Sequence, residues 1–577
     1  MPFIVCFAIS VVLLTIIGAP FNLSYLAWIA LVPFVIGSLV DGKNSVVLLV
    51  AYIAGLLYWL GNLYWLVPIT IPGWIVVCLY LAVYWPLVVI ALRYCVRRKI
   101  PIWFSLPILI VGEEALRGWL FSWRFLAHSQ FRNLPLIQIA DIFGTAGISF
   151  IIAMANGLIA EIIIDLKNSH KVYPLRRDTK AQKINNIYFK KLSVFVPSWL
   201  KNSNIIGIVL TVCVISATLL YGQYRIDQTG RFIQPGPKVG VIQSNVPVVA
   251  GEDTDSSKET FLNLLTNSRA CLLEARPSLI IWPETMVETS MGDSLLALVA
   301  EDDIAQVCHN ALSRHANEGV NILIGAFGGD AYVAGEKIKF KTKYNSAFLY
   351  EPNQLGPRQY YNKTHLVPFG EYMPLKKQLP FLFKLLMLLS PYDYDYTLDE
   401  GNEYTIFKMP VQNKNYQFGV MICFEDTIPQ VARKLALDEN GNKRLDWLVN
   451  ISNDGWFVRK NGDRITASVE LSQRMAICVF RAIENRLSVI RCANTGISCL
   501  IDSAGNIKDN FSAGTLNKQA VQRTGQSGWF ADEISIDKRV TAFSKYGQLL
   551  AISCAICLIV CLIASLLSVC HNGKCVQ

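Results

Sequence analysis

The chain has 577 residues, of which 53% are hydrophobic and 17% are charged. Soluble domains average about 25% charged residues, so this composition excludes a protein that is soluble throughout, and its hydrophobicity excludes an intrinsically disordered chain. The net charge of +10 would suit nucleic-acid binding, but most of the excess lies in short loops beside apolar runs, which is typical of a membrane protein.

Long apolar runs predict membrane spans, because about 20 apolar residues are needed to cross about 30 Å of hydrocarbon. Seven runs precede residue 225, and an eighth lies near the end of the chain. The predicted spans cover about 3–19, 25–40, 46–67, 74–95, 102–121, 147–165, 204–222 and 548–570. We therefore expect a polytopic α-helical membrane domain over 1–223, and a last span with a tail over 546–577.

Positive charges in the loops predict the orientation. Arg97, Arg98 and Lys99 follow the fourth predicted span, and the segment 167–201 after the sixth holds nine lysines and arginines against one aspartate. Because cytoplasmic loops are enriched in Lys and Arg, we expect both termini inside and the region 238–545 outside. The basic segment could be a nucleic-acid patch, but we interpret it as a solvated cytoplasmic loop near anionic lipid.

Charged residues interrupt the fifth apolar run at Glu113, Glu114 and Arg117. An ionised side chain at the centre of a bilayer costs roughly 2.5–3.5 kcal/mol on insertion scales. Two interpretations stay open: these residues lie at the outer interface, or they form a polar group that faces a cavity in the bundle.

A second region, over 238–545, has an ordinary charge density, and the glycines and prolines of 224–237 predict a linker before it. Short β-rich runs alternate there with helical stretches, which predicts a layered α/β fold. The strands are predicted at 238–243, 279–283, 320–325, 418–423, 447–452, 488–492 and 497–501, and the helices at about 256–275, 294–317 and 464–485. The sequence contains no glycine-rich phosphate loop, so nucleotide chemistry has no support.

Three motifs place reactive side chains where predicted strands end. Glu284 follows one strand, Cys423 stands where another breaks into a helix, and Lys363 lies in the run from Tyr361 to Pro374. Such ends are where an open α/β sheet presents functional groups. A thiolate could attack a carbonyl there, with Glu284 as base and Lys363 binding the oxyanion. Each residue alone also has an ordinary interpretation as core, turn or surface, and the sequence does not bring the three together.

In this order, the three motifs resemble the Glu-Lys-Cys triad of the nitrilase superfamily. The runs Tyr361–Glu371, Ser452–Phe457 and Arg481–Arg486, the last followed by Asn494–Ser498, resemble those of apolipoprotein N-acyltransferases, as do Leu116–Trp119 and the predicted span count. The resemblance covers nearly the whole chain, with 167–201 an apparent insertion. It implies an αββα sandwich over 238–545, on the periplasmic side of a bacterial inner membrane.

The resemblance also implies roles for individual residues. Glu284 matches the general base, Lys363 the oxyanion-binding lysine and Cys423 the nucleophile. The supporting residues that it implies are Glu371, Glu425, Phe424 and Trp456. The chain departs from the family at Phe424, where Tyr is usual, at Val458, where glycine is usual, and at Val469–Arg474, where the family's Gln-His is absent. We expect these departures to affect substrate contacts more than the triad.

The implied reaction moves a fatty acyl chain from a phospholipid to Cys423 as a thioester, and then to the α-amino group of an N-terminal diacylglyceryl-cysteine. It implies no metal or nucleotide cofactor. The alternatives are a membrane-tethered nitrilase-type amidase, a non-catalytic transporter or scaffold, and a subunit that assists glycolipid synthesis. The apolar stretch 379–389 is too short to span a membrane, and is interpreted either as a lid that dips into lipid or as a buried helix.

Overall fold

The structure is a computed structural model, and it describes six stretches of the chain. These are residues 2–40, 42–172, 202–248, 254–372, 397–461 and 464–571. The stretch 379–389 and most of the basic segment 167–201 lie outside these residues.

The first part of the chain is helical. Its helices are α1 (Pro2–Ile16), α2 (Val32–Leu39), α3 (Asn44–Asn62), α4 (Ile71–Ala82), α5 (Tyr84–Arg97), α6 (Ile102–Gly118), α7 (Leu134–Ile137), α8 (Ala140–Phe143), α9 (Thr145–Val172) and α10 (Asn202–Phe232). A last helix, α17 (Leu549–His571), packs against α5 and α6 although it lies more than 400 residues later in the chain. The membrane region is therefore assembled from both ends of the sequence.

Five helical stretches of the described residues, one of them formed by α4 and α5 together, are long and apolar enough to cross a membrane, judged by length and composition. They cover Asn44–Asn62, Ile71–Arg97, Thr145–Asn168, Asn202–Phe232 and Leu549–Ser568. The runs predicted at 3–19 and 25–40 fall on the shorter apolar helices Pro2–Ile16 and Ser24–Leu39, and the run at 102–121 falls on the 17-residue α6. Several apolar helices are thus confirmed, and the count of eight spans stays a prediction.

The charged residues of α6 face the inside of the helical region. Arg117 Nε lies 2.7 Å from Glu113 Oε1, and Glu114 Oε1 accepts a hydrogen bond from the backbone N–H of Leu126 at 2.6 Å. The Arg117 guanidinium also lies over the Trp59 ring, 5.1 Å from its centroid. All three charged side chains line a cavity, so the structure favours the second of the two interpretations.

The predicted linker at 224–237 is wrong. α10 continues to Phe232, and a strand begins directly at Ile233. At 1.5 Å per residue the 31 residues of α10 measure about 46 Å, so the helix is longer than the roughly 30 Å of hydrocarbon in a bilayer and leads directly into the sheet. Pro235 and Pro237 are tolerated because this part of the strand pairs on one side only.

The rest of the chain forms an α/β domain, as predicted, with two large sheets. Its strands are β1 (Ile233–Gln243), β2 (Leu279–Ile281), β3 (Val287–Ser290), β4 (Asn321–Gly328), β5 (Ala331–Ala334), β6 (Lys337–Phe340), β7 (Tyr344–Tyr350), β8 (Gln359–Asn362), β9 (Ile406–Val411), β10 (Lys414–Ile422), β11 (Trp447–Ser452), β12 (Val458–Asn461), β13 (Arg464–Ala467), β14 (Ser488–Ala493), β15 (Cys499–Ile501), β16 (Ala513–Gly514) and β17 (Gly528–Asp537). One sheet has the order β16-β17-β1-β2-β4-β7-β8, with β3 on β4, and the other has β15-β14-β11-β10-β9. β12 with β13, and β5 with β6, form separate two-stranded ribbons.

The helices of this domain are α11 (Thr254–Ala275), α12 (Asp293–Leu296), α13 (Ile304–Ala316), α14 (Pro429–Ala436), α15 (Glu470–Asn485) and α16 (Ala542–Tyr546). The helix predicted over 294–317 is two helices, since Asp303 caps a new one by accepting a hydrogen bond from the Ala305 N–H at 2.8 Å. The helix predicted from 464 begins at Glu470, because the first residues pair as β13.

Alternate side chains of the strands enter different cores, as the period of two in a strand requires. Val239 and Val241 of β1 join Val420 of β10 in a core between the two sheets, whereas Ile242 faces α11 and α13. On the far side of the second sheet, Leu448 of β11 packs with α14 and α15 in a core that is continuous with the helical region.

α15 is buried on nearly every side, because it lies between the second sheet and the N-terminal helices. Trp123 Nε1 donates to Gln473 Oε1 at 2.6 Å, and the ring of His128 lies 5.6 Å from that of Phe480. At the end of α15, Arg486 Nη2 donates to Asp141 of α8 at 2.7 Å. The helix therefore fixes the α/β domain onto the helical region.

Candidate active site

The candidate site lies at the carboxyl ends of parallel strands from both sheets. β1, β2 and β4 are mutually parallel in one sheet, as are β10, β11 and β14 in the other. Glu284 follows β2, Cys423 follows β10 and Asn453 follows β11. Because the two sheets pack face to face, these ends meet, which is where such folds place functional groups.

Glu284 is buried, and both of its carboxylate oxygens are occupied. Oε1 accepts a hydrogen bond from Asn345 Nδ2 at 2.7 Å and another from Lys363 Nζ at 3.3 Å. Oε2 accepts a hydrogen bond from the backbone N–H of Asn453 at 2.7 Å. The next residue, Thr285, has φ +49°, a strained value for a β-branched residue, so the turn after β2 is held by its surroundings.

Lys363 is fully buried and lies between two carboxylates. Its Nζ is 2.7 Å from Glu371 Oε1 and 3.3 Å from Glu284 Oε1. Burial by itself lowers the pKa of the ammonium, but Glu371 and Glu284 outweigh burial and raise the pKa, so the group stays charged. This is a fixed positive charge at the centre of the site.

Glu371 and Asn345 complete this network. Glu371 Oε1 accepts hydrogen bonds from Lys363 Nζ and from Asn345 Nδ2, the latter at 2.9 Å, and its Oε2 accepts one from the backbone N–H of Val367 at 2.8 Å. Asn345 therefore bridges Glu284 and Glu371 through a single amide nitrogen. The sequence motifs predicted Glu371 but not Asn345, which is the second residue of β7 and has no neighbouring motif to single it out.

Cys423 ends β10 in a sharp turn. Its φ of +50° is rare for a residue other than glycine, and it opens the 3₁₀ helix Cys423–Thr427. Charged groups on several elements act on its thiol: Glu284, Arg474, Lys363 and Glu371. Burial, with the charge of Glu284, raises the pKa of the thiol to about 12, although Arg474 and Lys363 act in the opposite direction. At neutral pH the resting thiol is therefore protonated and needs a base.

Glu425 connects the lysine motif to the cysteine motif. Its Oε1 accepts hydrogen bonds from the Tyr361 hydroxyl at 2.7 Å and from the Thr364 N–H at 2.8 Å, and its Oε2 accepts one from the Ile422 N–H at 2.8 Å. The carboxyl group is fully buried, and burial raises its pKa even though these donors act to lower it. Glu425 thus holds the turn after Lys363 and the turn at Cys423 in one arrangement.

The two predicted aromatic residues are both half-buried. Phe424 follows the cysteine directly and packs against the core that includes α15 and the helical region. Trp456 lies in the 3₁₀ turn Asp454–Phe457. That turn begins directly after Asn453, whose N–H binds Glu284.

Arg474 is a site residue that the motif analysis did not identify. It lies on α15 with its guanidinium buried, and its Nη1 is 3.5 Å from Cys423 Sγ. Arg474 does lie in Val469–Arg474, where the chain departs from the family's motif, but that departure was expected to affect substrate contacts. Its proximity to the sulfur depends on how α15 packs on the second sheet, and a single sequence does not reveal this.

The α/β domain belongs to the nitrilase superfamily, because residues 238–523 match the sequence model of the carbon-nitrogen hydrolase family. Residues 10–158 match the model of the apolipoprotein N-acyltransferase N-terminal domain. The chain is 30% identical over 561 residues to an apolipoprotein N-acyltransferase of Geobacter metallireducens, and the match covers 92% of this chain and 89% of that one. The chain therefore belongs to the apolipoprotein N-acyltransferase family.

Other relatives agree with this assignment. An apolipoprotein N-acyltransferase of Rickettsia typhi is 28% identical over 413 residues, covering 71% of this chain and 68% of that one. Among solved structures, an amidase from Nesterenkonia sp. superposes with a TM-score of 0.33 at 13% identity, covering 54% of this chain and 95% of the amidase. At that score the superposition adds nothing to the assignment, which rests on the sequence matches.

Proposed function

We propose that this protein transfers a fatty acyl chain from a phospholipid to the α-amino group of the N-terminal diacylglyceryl-cysteine of apolipoproteins. One observation carries the proposal: Lys363 Nζ is buried 2.7 Å from Glu371 and 3.3 Å from Glu284, at the strand ends where Cys423 lies. A base, a fixed cation and a thiol in one buried cluster are the groups that acyl transfer through a thioester requires. The similarity to apolipoprotein N-acyltransferases supports the lipoprotein acceptor.

In the first half-reaction, Cys423 attacks the ester carbonyl of the phospholipid. Glu284 takes the thiol proton as the S–C bond forms, which is needed because the resting thiol is protonated at neutral pH. The Lys363 ammonium and the backbone N–H of Phe424 bind the oxyanion. The C–O bond then breaks, Glu284 returns the proton to the leaving oxygen, and a lysophospholipid departs.

In the second half-reaction, the free amine of the diacylglyceryl-cysteine attacks the thioester. Lys363 again binds the oxyanion, and Glu284 accepts a proton from the attacking nitrogen. The C–S bond breaks, the electron pair returns to sulfur, and the thiol recovers a proton from Glu284. The cycle consumes no cofactor, because the acyl donor is already an activated ester.

The membrane region explains how lipid substrates would reach this site. In the proposed topology, eight spans hold an αββα sandwich on the periplasmic face of a bacterial inner membrane, with both termini and the basic segment 167–201 in the cytoplasm. The packing of α15 against the N-terminal helices supports a site next to the bilayer. Two lipid substrates need a site that is open to the membrane, whereas an amidase for small molecules would need only an anchor.

The test is an acyl adduct on Cys423. The full chain in detergent is incubated with a defined phospholipid and no acceptor, and the cysteine-containing peptides are analysed by mass spectrometry. We expect one fatty acyl group on Cys423, none in Cys423→Ser or Cys423→Ala, and an unchanged adduct in Cys308→Ala, which alters a buried cysteine of α13. An adduct on another cysteine would overturn the assignment of the nucleophile.

The acceptor half of the proposal needs its own measurement. Adding a diacylglyceryl-cysteine peptide should discharge the adduct and produce an N-acylated peptide, and a peptide with a blocked amine should not. Hydrolysis of soluble amides without any reaction on phospholipid would favour a tethered amidase instead. Labelling of single cysteines introduced into 167–201 by an impermeant reagent from outside intact cells would contradict the topology.

A further inference from the structure

Arg474 makes a direct contact with the sulfur of Cys423, and its side chain is also held by a carboxylate close to that cysteine in the chain. Its Nε and Nη2 both donate to Asp426 Oδ2, at 3.1 and 3.0 Å. Asp426 belongs to the same 3₁₀ turn as the cysteine, so the carboxylate and the sulfur are positioned together. With two nitrogens bound to Asp426, the planar guanidinium directs Nη1 at Cys423 Sγ, 3.5 Å away.

The charges around this guanidinium leave it able to act on the sulfur. Asp426 Oδ2 also accepts a hydrogen bond from Arg491 Nη1 at 3.2 Å, so one carboxylate is shared by two guanidinium groups. Glu470 Oε1 lies 3.4 Å from Arg474 Nη1, but burial raises the pKa of Glu470 to about 8, so this group is mostly protonated at neutral pH. The positive charge of Arg474 is therefore only partly neutralised by its own neighbours.

The charged groups that face Cys423 and Arg474 come from every element around them. Besides Arg474 itself on α15, they are Glu284 after β2, Lys363 and Glu371 after β8, Asp426 after β10, Asp454 after β11, Glu470 on α15 and Arg491 on β14. The Lys363 ammonium forms ion pairs with carboxylate oxygens of Glu371 and Glu284. Among these described groups, the hydrogen-bond contact to the sulfur itself comes from Arg474.

We propose that Arg474 is a second catalytic cation, which stabilises negative charge on the sulfur of Cys423 while Lys363 stabilises negative charge on the substrate oxygen. This rests on the proposed function. In the first half-reaction, Arg474 lowers the free energy of the thiolate as Glu284 takes the thiol proton and the S–C bond forms. In the second, the C–S bond breaks, the electron pair returns to sulfur, and Arg474 stabilises that thiolate until Glu284 returns a proton.

The experiment measures the reactivity of the sulfur without any lipid. Full-length protein in detergent is alkylated with iodoacetamide between about pH 6 and about pH 10, and modification of the Cys423 peptide is followed by mass spectrometry, since only the thiolate reacts. Because the wild-type thiol has a pKa of about 12, the alkylation rate rises about tenfold per pH unit across this range. In Arg474→Gln we expect the whole rate–pH profile to move upward by about one pH unit or more, so that alkylation at any one pH in the range falls about tenfold or more.

Arg474→Lys keeps the positive charge but lacks the planar guanidinium, which binds Asp426 through two nitrogens and contacts the sulfur through the third. Its rate–pH profile should lie between those of the wild type and Arg474→Gln, and it decides the question if Arg474→Gln does not fold. The matched control is Arg481→Gln, two turns along α15, where a buried guanidinium pairs with Glu484 and the profile should stay that of the wild type. Melting curves verify that each variant is folded.

An unchanged rate–pH profile in folded Arg474→Gln overturns the inference, as does an unchanged profile in Arg474→Lys where the Gln variant does not fold, and so does an equal shift in Arg481→Gln. These outcomes are independent of acyl transfer by the wild type. If the wild type forms no acyl adduct from phospholipid, the proposed function fails whatever the alkylation profile shows. If the adduct forms and the profile of the Arg474 variants does not move, only the role of Arg474 fails.

Discussion

Glu425 and Thr364 are joined twice: the backbone N–H and the hydroxyl of Thr364 both donate to Glu425 Oε1, at 2.8 and 2.9 Å. These residues lie 61 positions apart in the chain. Thr364 directly follows the proposed catalytic Lys363, and Glu425 lies two residues after the proposed catalytic Cys423. The pair therefore fixes the distance between the oxyanion-binding ammonium and the nucleophile. It does so in a fully buried position, where a lost hydrogen bond has no water to replace it.

Glu425→Gln should slow acyl transfer through misplacement of these two turns. The amide can keep one oxygen toward Thr364, but its NH₂ group then faces the Ile422 N–H, so two donors meet. An unpaired buried donor costs about 1–3 kcal/mol, which corresponds to a loss of about five- to 150-fold if it falls on the transition state. We expect kcat to fall with little change in KM. Steady-state kinetics check this, and a milder loss in Tyr361→Phe, which removes one donor from the same carboxylate, serves as the graded comparison.

Lys363→Ala should slow formation of the thioester by about 10²–10³, the usual effect of removing one oxyanion donor. The substitution also leaves Glu284 and Glu371 buried beside each other without their shared cation, so it should lower the melting temperature as well. Timed quenching followed by mass spectrometry of the Cys423 peptide measures the rate. Lys339→Ala, on the exposed strand β6, is the control that should behave as wild type, and a near-normal rate in Lys363→Ala would contradict the oxyanion role.

Glu284→Gln should change two reactions of Cys423 in opposite directions. Loss of the base should slow acylation by phospholipid about 10²–10⁴-fold. The charge of Glu284 is also one of the causes that raise the pKa of the Cys423 thiol, so its removal lowers that pKa and increases the thiolate fraction at a fixed pH. Alkylation by iodoacetamide should therefore become faster. A parallel decrease in both rates would indicate a misfolded site rather than a lost base.

Asp141→Asn should loosen the junction between the helical region and the α/β domain. Asp141 Oδ2 pairs with Arg486 at 2.7 Å and with Arg225 at 2.8 Å, and all three side chains are mostly shielded from solvent. Removing one partner of a buried ion pair costs about 3–5 kcal/mol, because the remaining charge is left uncompensated. The variant should melt earlier and become sensitive to limited proteolysis. Arg225→Gln leaves the Arg486 pair intact and should have the smaller effect.

Much of the α/β domain could be predicted from the sequence, because strands and strand ends leave local patterns. The apolar runs before Glu284 and Cys423 became β2 and β10, and the two residues lie where those strands end. The prediction of a linker at 224–237 was wrong, because it took the glycines and prolines there as a break in secondary structure. In the structure, the first part of β1 pairs on one side only, and this tolerates both prolines. The helical part gave clear apolar runs, but α1, α2 and α6 are shorter than a full span.

The sequence by itself determined which reactive side chains are present and predicted that Glu284 and Cys423 lie at strand ends, since a strand is predicted from residues within a few positions along the chain. Which groups share the site was decided by the tertiary structure. Asn453 reaches Glu284 across 169 residues, and Arg474 reaches Cys423 across 51. Such contacts follow from the order of strands in two sheets and from the packing of α15 between a sheet and a helical bundle, and no local pattern encodes either one.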